Sequence, residues 1–220
     1  MDSSELTDGV RSNAHRTYLE LRERIIQCVI EPSQKLKIAD LAAELGVSPG
    51  AIREALSRLT TENLVEARDQ RGFRAAPISL ADLDDLTETR VEIETLAMRK
   101  AIAVGDEDWR ENVRAAHDAM AAYSGLAHAP KAAELHGRFH DALVSGCASP
   151  SLLRIRSGLY EMSQRYRYLA TQRSKLERHV HDEHRALAEA VYQRNPDAAA
   201  AAIAIHIRTT AAMVRASITI

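Results

Sequence analysis

In ELHGRFHDAL (134–143) two histidines, His136 and His140, stand four residues apart. On a helix that spacing is just over one turn, so both imidazoles leave the same face, as a pair of metal ligands or as two stacked rings. His140 lies in line with Leu143 and Val144, His184 with Val180, Leu187 and Val191, and His206 with Ile203 and Met213. Three inward histidines on three helices predict a built polar site. It is either a metal centre or a set of neutral, hydrogen-bonded imidazoles lining an organic-acid pocket. His181, one turn from His184, is a substitute ligand, whereas His15, His117, His128 and His179 read as surface residues.

The elements that must position these residues follow from periodicity and breakers. The first 16 residues lack hydrophobic periodicity and read as a flexible N-terminus. TYLELRERIIQCVI (17–30) puts Leu19, Ile25, Ile26 and Val29 near one stripe and predicts an amphipathic helix ended by Pro32. KIADLAAEL (37–45) predicts a short helix stopped by Gly46. Ser48 as N-cap and Pro49 at the first helical position then open a third helix running to about Thr61. LVEARDQRGFRAAPI predicts two short strands joined by an exposed turn at Asp69–Gly72. From Ser79 onward only helices are expected, with breaks near Gly105, Ala129–Pro130, Ser149–Pro150 and Asn195–Pro196. The fold class is therefore mainly α: a head over 17–78 and an all-helical body over 79–220.

Composition narrows the setting. The formal charge is -2 and the apolar fraction 45%, both ordinary for a globular protein, while aromatics are scarce at 4%. No run approaches the roughly 20 apolar residues that span a bilayer. A polar, acid-bearing start argues against a secretory signal, and Cys28 and Cys147 have no motif spacing, so a reducing, cytoplasmic setting without membrane contact is expected.

Helix, short helix, tight turn, longer helix and two-stranded wing is the order of a winged helix-turn-helix, whose third helix enters the major groove. Small helical modules use similar spacings without touching nucleic acid, so the pattern alone leaves a structural module open. LAAELGVSPGAIREALSRLTTENLV followed by RGF resembles the GntR family of bacterial transcription regulators at Leu41, Gly46, Val47, Ser48, Ile52, Arg53, Glu54, Ala55 and Leu56. The resemblance implies that Ser48 and Arg53 touch double-stranded operator DNA, with Arg71 and Gly72 at the wing tip; Arg58 and Arg74 are added from charge and position. Pro49, Gly50 and Ala51 depart from the family's arginine, threonine and proline, removing a strong donor to guanine or phosphate.

The body is similar to the FCD effector domain of the FadR-like branch, a bundle of six or seven helices. The motifs are ETRVEIETLAMRKA (88–101), FHDAL (139–143), DEHRALAEAV (182–191) and IAIHI (203–207). In that branch an aspartate and three histidines hold a divalent metal. The resemblance places His140, His184 and His206 as the histidines and puts His136 where the aspartate stands. Four neutral imidazoles bring no ligand charge, which leans toward Zn²⁺ or Ni²⁺ rather than Mg²⁺ or Mn²⁺. Arg90 matches an arginine facing the effector cavity and could fork a carboxylate; a salt bridge to Glu94 on the same face is the alternative. Arg165, Tyr166 and Arg167 add polar groups of unassigned direction.

These readings converge on a metabolite-responsive DNA-binding regulator, a repressor by analogy with most relatives. It would act as a homodimer and bind a small carboxylate effector and a divalent metal in its body. The alternatives are a metal-sensing regulator and a metal-dependent hydrolase, for which Glu183 beside His184 is the nearest candidate base.

Overall fold

A computed structural model of the chain describes residues 3–68, 71–125, 129–173 and 180–218, with side chains for all of these except 3–12 and 171–173. The expected turn residues Asp69 and Gln70, and His128 and His179, lie outside the described residues. The chain forms two compact units, one of residues up to Leu80 together with Glu161–Leu169, the other of Ala81–Tyr160 and Ala170 onward.

The first unit contains α1 (Ser3–Ile26), β1 (Lys35–Leu36), α2 (Ile38–Leu45), α3 (Pro49–Thr61), β2 (Val65–Arg68) and β3 (Gly72–Ala75). The expected helix 17–30 is longer at its start and shorter at its end. α1 begins at Ser3, and the stripe it buries is Ala14, Tyr18, Leu21, Ile25 and Ile26, while Leu19 and Val29 are exposed. Polar residues with adequate helix propensity extend α1 without any hydrophobic signal.

α3 forms where its sequence demands it. The Ser48 hydroxyl accepts from the Ala51 N–H at 3.2 Å, and Pro49 sits in the first turn, where no donor is needed. Ile52, Ala55, Leu56 and Leu59 recur at helical spacing and are all buried. Ile52, Leu56 and Leu59 each contribute roughly 1.5–3 kcal/mol by leaving water. Asn63 takes φ 56° beyond the last turn, letting the Leu64 N–H reach the Leu59 carbonyl at 3.1 Å. That closure satisfies carbonyls the helix end would orphan, and asparagine tolerates the left-handed conformation it requires. Gly46, at φ 64°, closes α2 in the same way, with Val47 N–H on the Ala42 carbonyl at 3.1 Å.

The sheet is antiparallel in the order β1–β3–β2, with Val65 facing Ala75 and Arg68 facing Gly72 in the wing hairpin. β1 was not expected from sequence. Its two residues pair Lys35 with Arg74 and Leu36 with Phe73. α7 (Pro150–Arg173) supplies Glu161–Leu169 to this unit, where Arg165 donates to the Ala76 carbonyl at 2.8 Å and Tyr166 to the Ser79 carbonyl at 3.2 Å.

The second unit is built from α4 (Leu80–Val104), α5 (Glu107–Ala121), α6 (Pro130–Ser145), the rest of α7, α8 (Val180–Tyr192) and α9 (Pro196–Ile218). Pro130, Pro150 and Pro196 each open a helix, as their fixed φ favours. Its core holds Ala97, Met98, Phe139, Leu143, Leu187, Val191 and Ile203. Trp109 packs there and donates its indole N–H to the Ala142 carbonyl at 2.9 Å. No helix among the described residues is long and apolar enough to cross a membrane.

Candidate functional site

The apolar stripes that seat α6, α8 and α9 in the core carry histidines with them. His140 follows buried Phe139 and precedes buried Leu143, His184 precedes Leu187, and His206 lies between Ile203 and Ile207. His140, His184 and His206 are buried and His136 half-buried. The rings converge: centroids are 4.4 Å apart for His136 and His140, 5.1 Å for His136 and His184, and 5.0 Å for both His140 and His206 and His184 and His206. One ligand nitrogen from each of the four lies within 4.8 Å of the others. A metal at about 2.0–2.1 Å from each nitrogen therefore needs side-chain movements of about 1 Å or less.

The surroundings suit ligation. Burial, and then His136, His206, His184 and Arg156, hold the His140 imidazole well below its ordinary pKa, so it is neutral at physiological pH. A neutral imidazole is the ligating form. Neither His140 nitrogen has a hydrogen-bond partner among the described residues, a costly state for a buried polar ring unless a ligand completes it. His206 Nδ1 meets Glu183 Oε2 at 2.8 Å. A carboxylate on one ring nitrogen fixes the tautomer and turns the other toward a metal. His136 Nδ1 contacts the Tyr160 hydroxyl at 3.1 Å. The residues present fit a divalent ion of the nitrogen-preferring kind. His181 is exposed and stands outside the cluster. His15 is exposed, but His117, expected at the surface, is half-buried with its ring 5.5 Å from Phe139.

Arg90 is buried and donates to Glu94 Oε1 at 3.1 Å, so the ion pair that sequence offered as its alternative is present. The pair does not exhaust the guanidinium, whose Nε has no hydrogen-bond partner among the described residues. Sequence reasoning missed Arg156, Tyr160 and the role of Glu183. Arg156 is 2% exposed, donates to Glu94 Oε2 at 3.1 Å and also pairs with Asp141. Glu94 stood inside a quoted motif, a signal that was available; Arg156 had none. Arg165 and Tyr166, left without direction, are occupied by backbone carbonyls of the first unit.

In the first unit, Ser48 and Arg53 are exposed at the N-terminal half of α3, and Arg71 and Gly72 are exposed at the wing, where Gly72 takes φ 80°. Two other expected contacts are partly engaged within the unit. The Arg58 guanidinium lies 3.7 Å over the Tyr18 ring, and Arg74 donates to the Ser33 carbonyl at 2.5 Å.

Residues 85–209 match the FCD domain, and residues 13–74 match the bacterial regulatory proteins of the gntR family. The chain is 34% identical over 213 residues to the HTH-type transcriptional regulator BphR of Paraburkholderia xenovorans, covering 94% of this chain and 87% of that protein. It is 31% identical over 200 residues to the HTH-type transcriptional repressor GlaR of Escherichia coli, covering 87% and 91%. The fold matches a GntR-type regulator structure from Rhodococcus sp. RHA1 with a TM-score of 0.74 at 20% identity, covering 94% and 99% of the two chains. These relatives are transcription regulators, and the hydrolase alternative falls with them; its candidate base, Glu183, is engaged by His206. The chain belongs to the GntR family of bacterial regulatory proteins, in the FadR-like branch that joins a winged DNA-binding head to an FCD domain.

Proposed function

We propose that this DNA-binding regulator is a repressor that acts as a homodimer. In this reading His136, His140, His184 and His206 hold a divalent metal, and a small carboxylate effector binds beside it. The observation that carries the reading is the convergence of four ligand nitrogens within 4.8 Å, with Glu183 orienting His206. The 31% identity to a protein named as a repressor supports the sign of regulation. Two heads would read half-sites about one helical turn, roughly 34 Å, apart. Ser48, Arg53, Arg71 and Gly72 form the DNA-facing set, and Arg58 and Arg74 contribute what their internal contacts leave free. The effector must bind one arrangement of the dimer more tightly than the other, commonly by about 1–3 kcal/mol, to move it off the operator.

The donor set favours Ni²⁺ or Zn²⁺ over oxygen-seeking ions. When bound, such an ion would supply Lewis-acid positions for effector oxygens. Four protein nitrogens complete a tetrahedral zinc site, which supports a second reading in which the ion itself is the signal; a tetragonal nickel site keeps positions open for an effector. Melting curves test the shared claim. Metal-stripped protein given nickel or zinc at about 100 times its dissociation constant gains roughly 2.7 kcal/mol of stability. Manganese has little effect, and His140→Ala removes the gain. Equal curves with and without nickel and zinc would overturn the metal reading.

A further inference from the structure

Glu94 is 1% exposed and serves two buried guanidiniums, with Oε1 accepting from Arg90 and Oε2 from Arg156, each at 3.1 Å. One buried carboxylate thus balances two buried cations. Asp141, the other partner of Arg156, has a side chain 68% exposed and is screened by solvent. Both guanidiniums retain an N–H group without a hydrogen-bond partner among the described residues, Arg90 Nε and Arg156 Nη2, although both atoms are buried. A buried charged donor left bare costs more than a neutral one, so these groups call for an anionic acceptor.

The two guanidiniums and the histidine cluster border the same aromatic ring. The Arg90 and Arg156 Cζ atoms lie 5.4 and 4.7 Å from the centroid of the Tyr160 ring. The same ring is 5.9 Å from His140, and its hydroxyl touches His136 Nδ1 at 3.1 Å. A single acid group held at the histidines would not also serve the guanidinium donors, whereas a second acid group would complete them.

The geometry points to Arg156, together with Arg90, as a second anion-holding position, and to a short dicarboxylate as the effector class. One acid group sits at the four histidines and the other on the guanidinium pair. This rests on the reading that the histidine cluster holds a metal. Planar forks match a carboxylate edge in two parallel hydrogen bonds, which an ammonium cannot reproduce.

Full-length protein loaded with nickel is titrated calorimetrically with succinate, glutarate and adipate, and with butyrate and valerate as single-acid controls. At least one diacid binds about tenfold tighter than the monoacids, the scale of one added charge-assisted contact. Arg156→Lys keeps the charge and loses most of that preference, read as the ratio of diacid to monoacid affinity at matched nickel content. Arg156→Gln removes the preference if it folds; the lysine variant carries the test if it does not. Nickel content measured on the same samples separates the two levels of failure. Protein that takes up no nickel overturns the metal reading and this inference with it. Protein that holds nickel but binds diacids and monoacids alike overturns the dicarboxylate alone.

Discussion

The exposed N-terminal half of α3 and the histidine cluster of α6, α8 and α9 face opposite constraints. Arg53 and Ser48 are exposed, while Ile52 and Leu56 on the other side of the same helix are 0% exposed. In the proposed reading, recognition and folding there fall to different residues. In the second unit the proposed reading gives both tasks to the same ones: His140 at 1% and His184 at 4% exposure are core residues and would be ligands as well. A surface site can change its chemistry freely, as the exposed Pro49 and Gly50 illustrate, whereas a buried polar site is tied to the stability of its unit.

That contrast can be broken at several points. Leu56→Ala should have the largest effect, costing about 2–5 kcal/mol of stability, because a fully enclosed side chain leaves a cavity. Denaturant unfolding measures it; a loss below about 1 kcal/mol would mean α3 is not seated as described. Arg53→Ala should weaken binding to an operator selected from random double-stranded DNA with the unaltered protein by about 1–3 kcal/mol while leaving the melting temperature in place. Undiminished affinity would remove Arg53 from the DNA-facing set, and a lowered melting temperature would erase the separation of recognition from folding. Glu183→Gln should loosen nickel by about tenfold to a hundredfold, since it strips the carboxylate from His206 Nδ1 but keeps the shape. Unchanged nickel affinity would reduce that hydrogen bond to packing.

Much of this arrangement was legible in the residues. Ser48, Pro49 and Gly46 fixed the ends of α2 and α3 because caps act locally, and Pro130, Pro150 and Pro196 marked helix starts for the same reason. The inward face of the histidines followed from the aliphatic residues one turn away. What stayed hidden depends on contacts between distant elements. β1 has two residues, too few for any alternation to register, and exists through its pairing with β3. Glu183 points about 100° away from its neighbour His184, so it reads as outside the site. Yet it reaches His206 on α9, 23 residues onward. Arg156 looked like one of many arginines until Glu94, 62 residues before it, proved to be its partner. The segment Glu161–Leu169 joins the first unit although sequence assigns it to the body, because no local signal reports that Arg165 ends on the Ala76 carbonyl.

His136, His140, His184 and His206 are proposed to form a metal centre. Elemental analysis of untagged protein purified without chelator tests it most directly. About one nickel or zinc per chain is expected, falling to none in His140→Ala. Metal-free protein that stays metal-free after dialysis against both ions would contradict it and leave four histidines lining an organic-acid pocket.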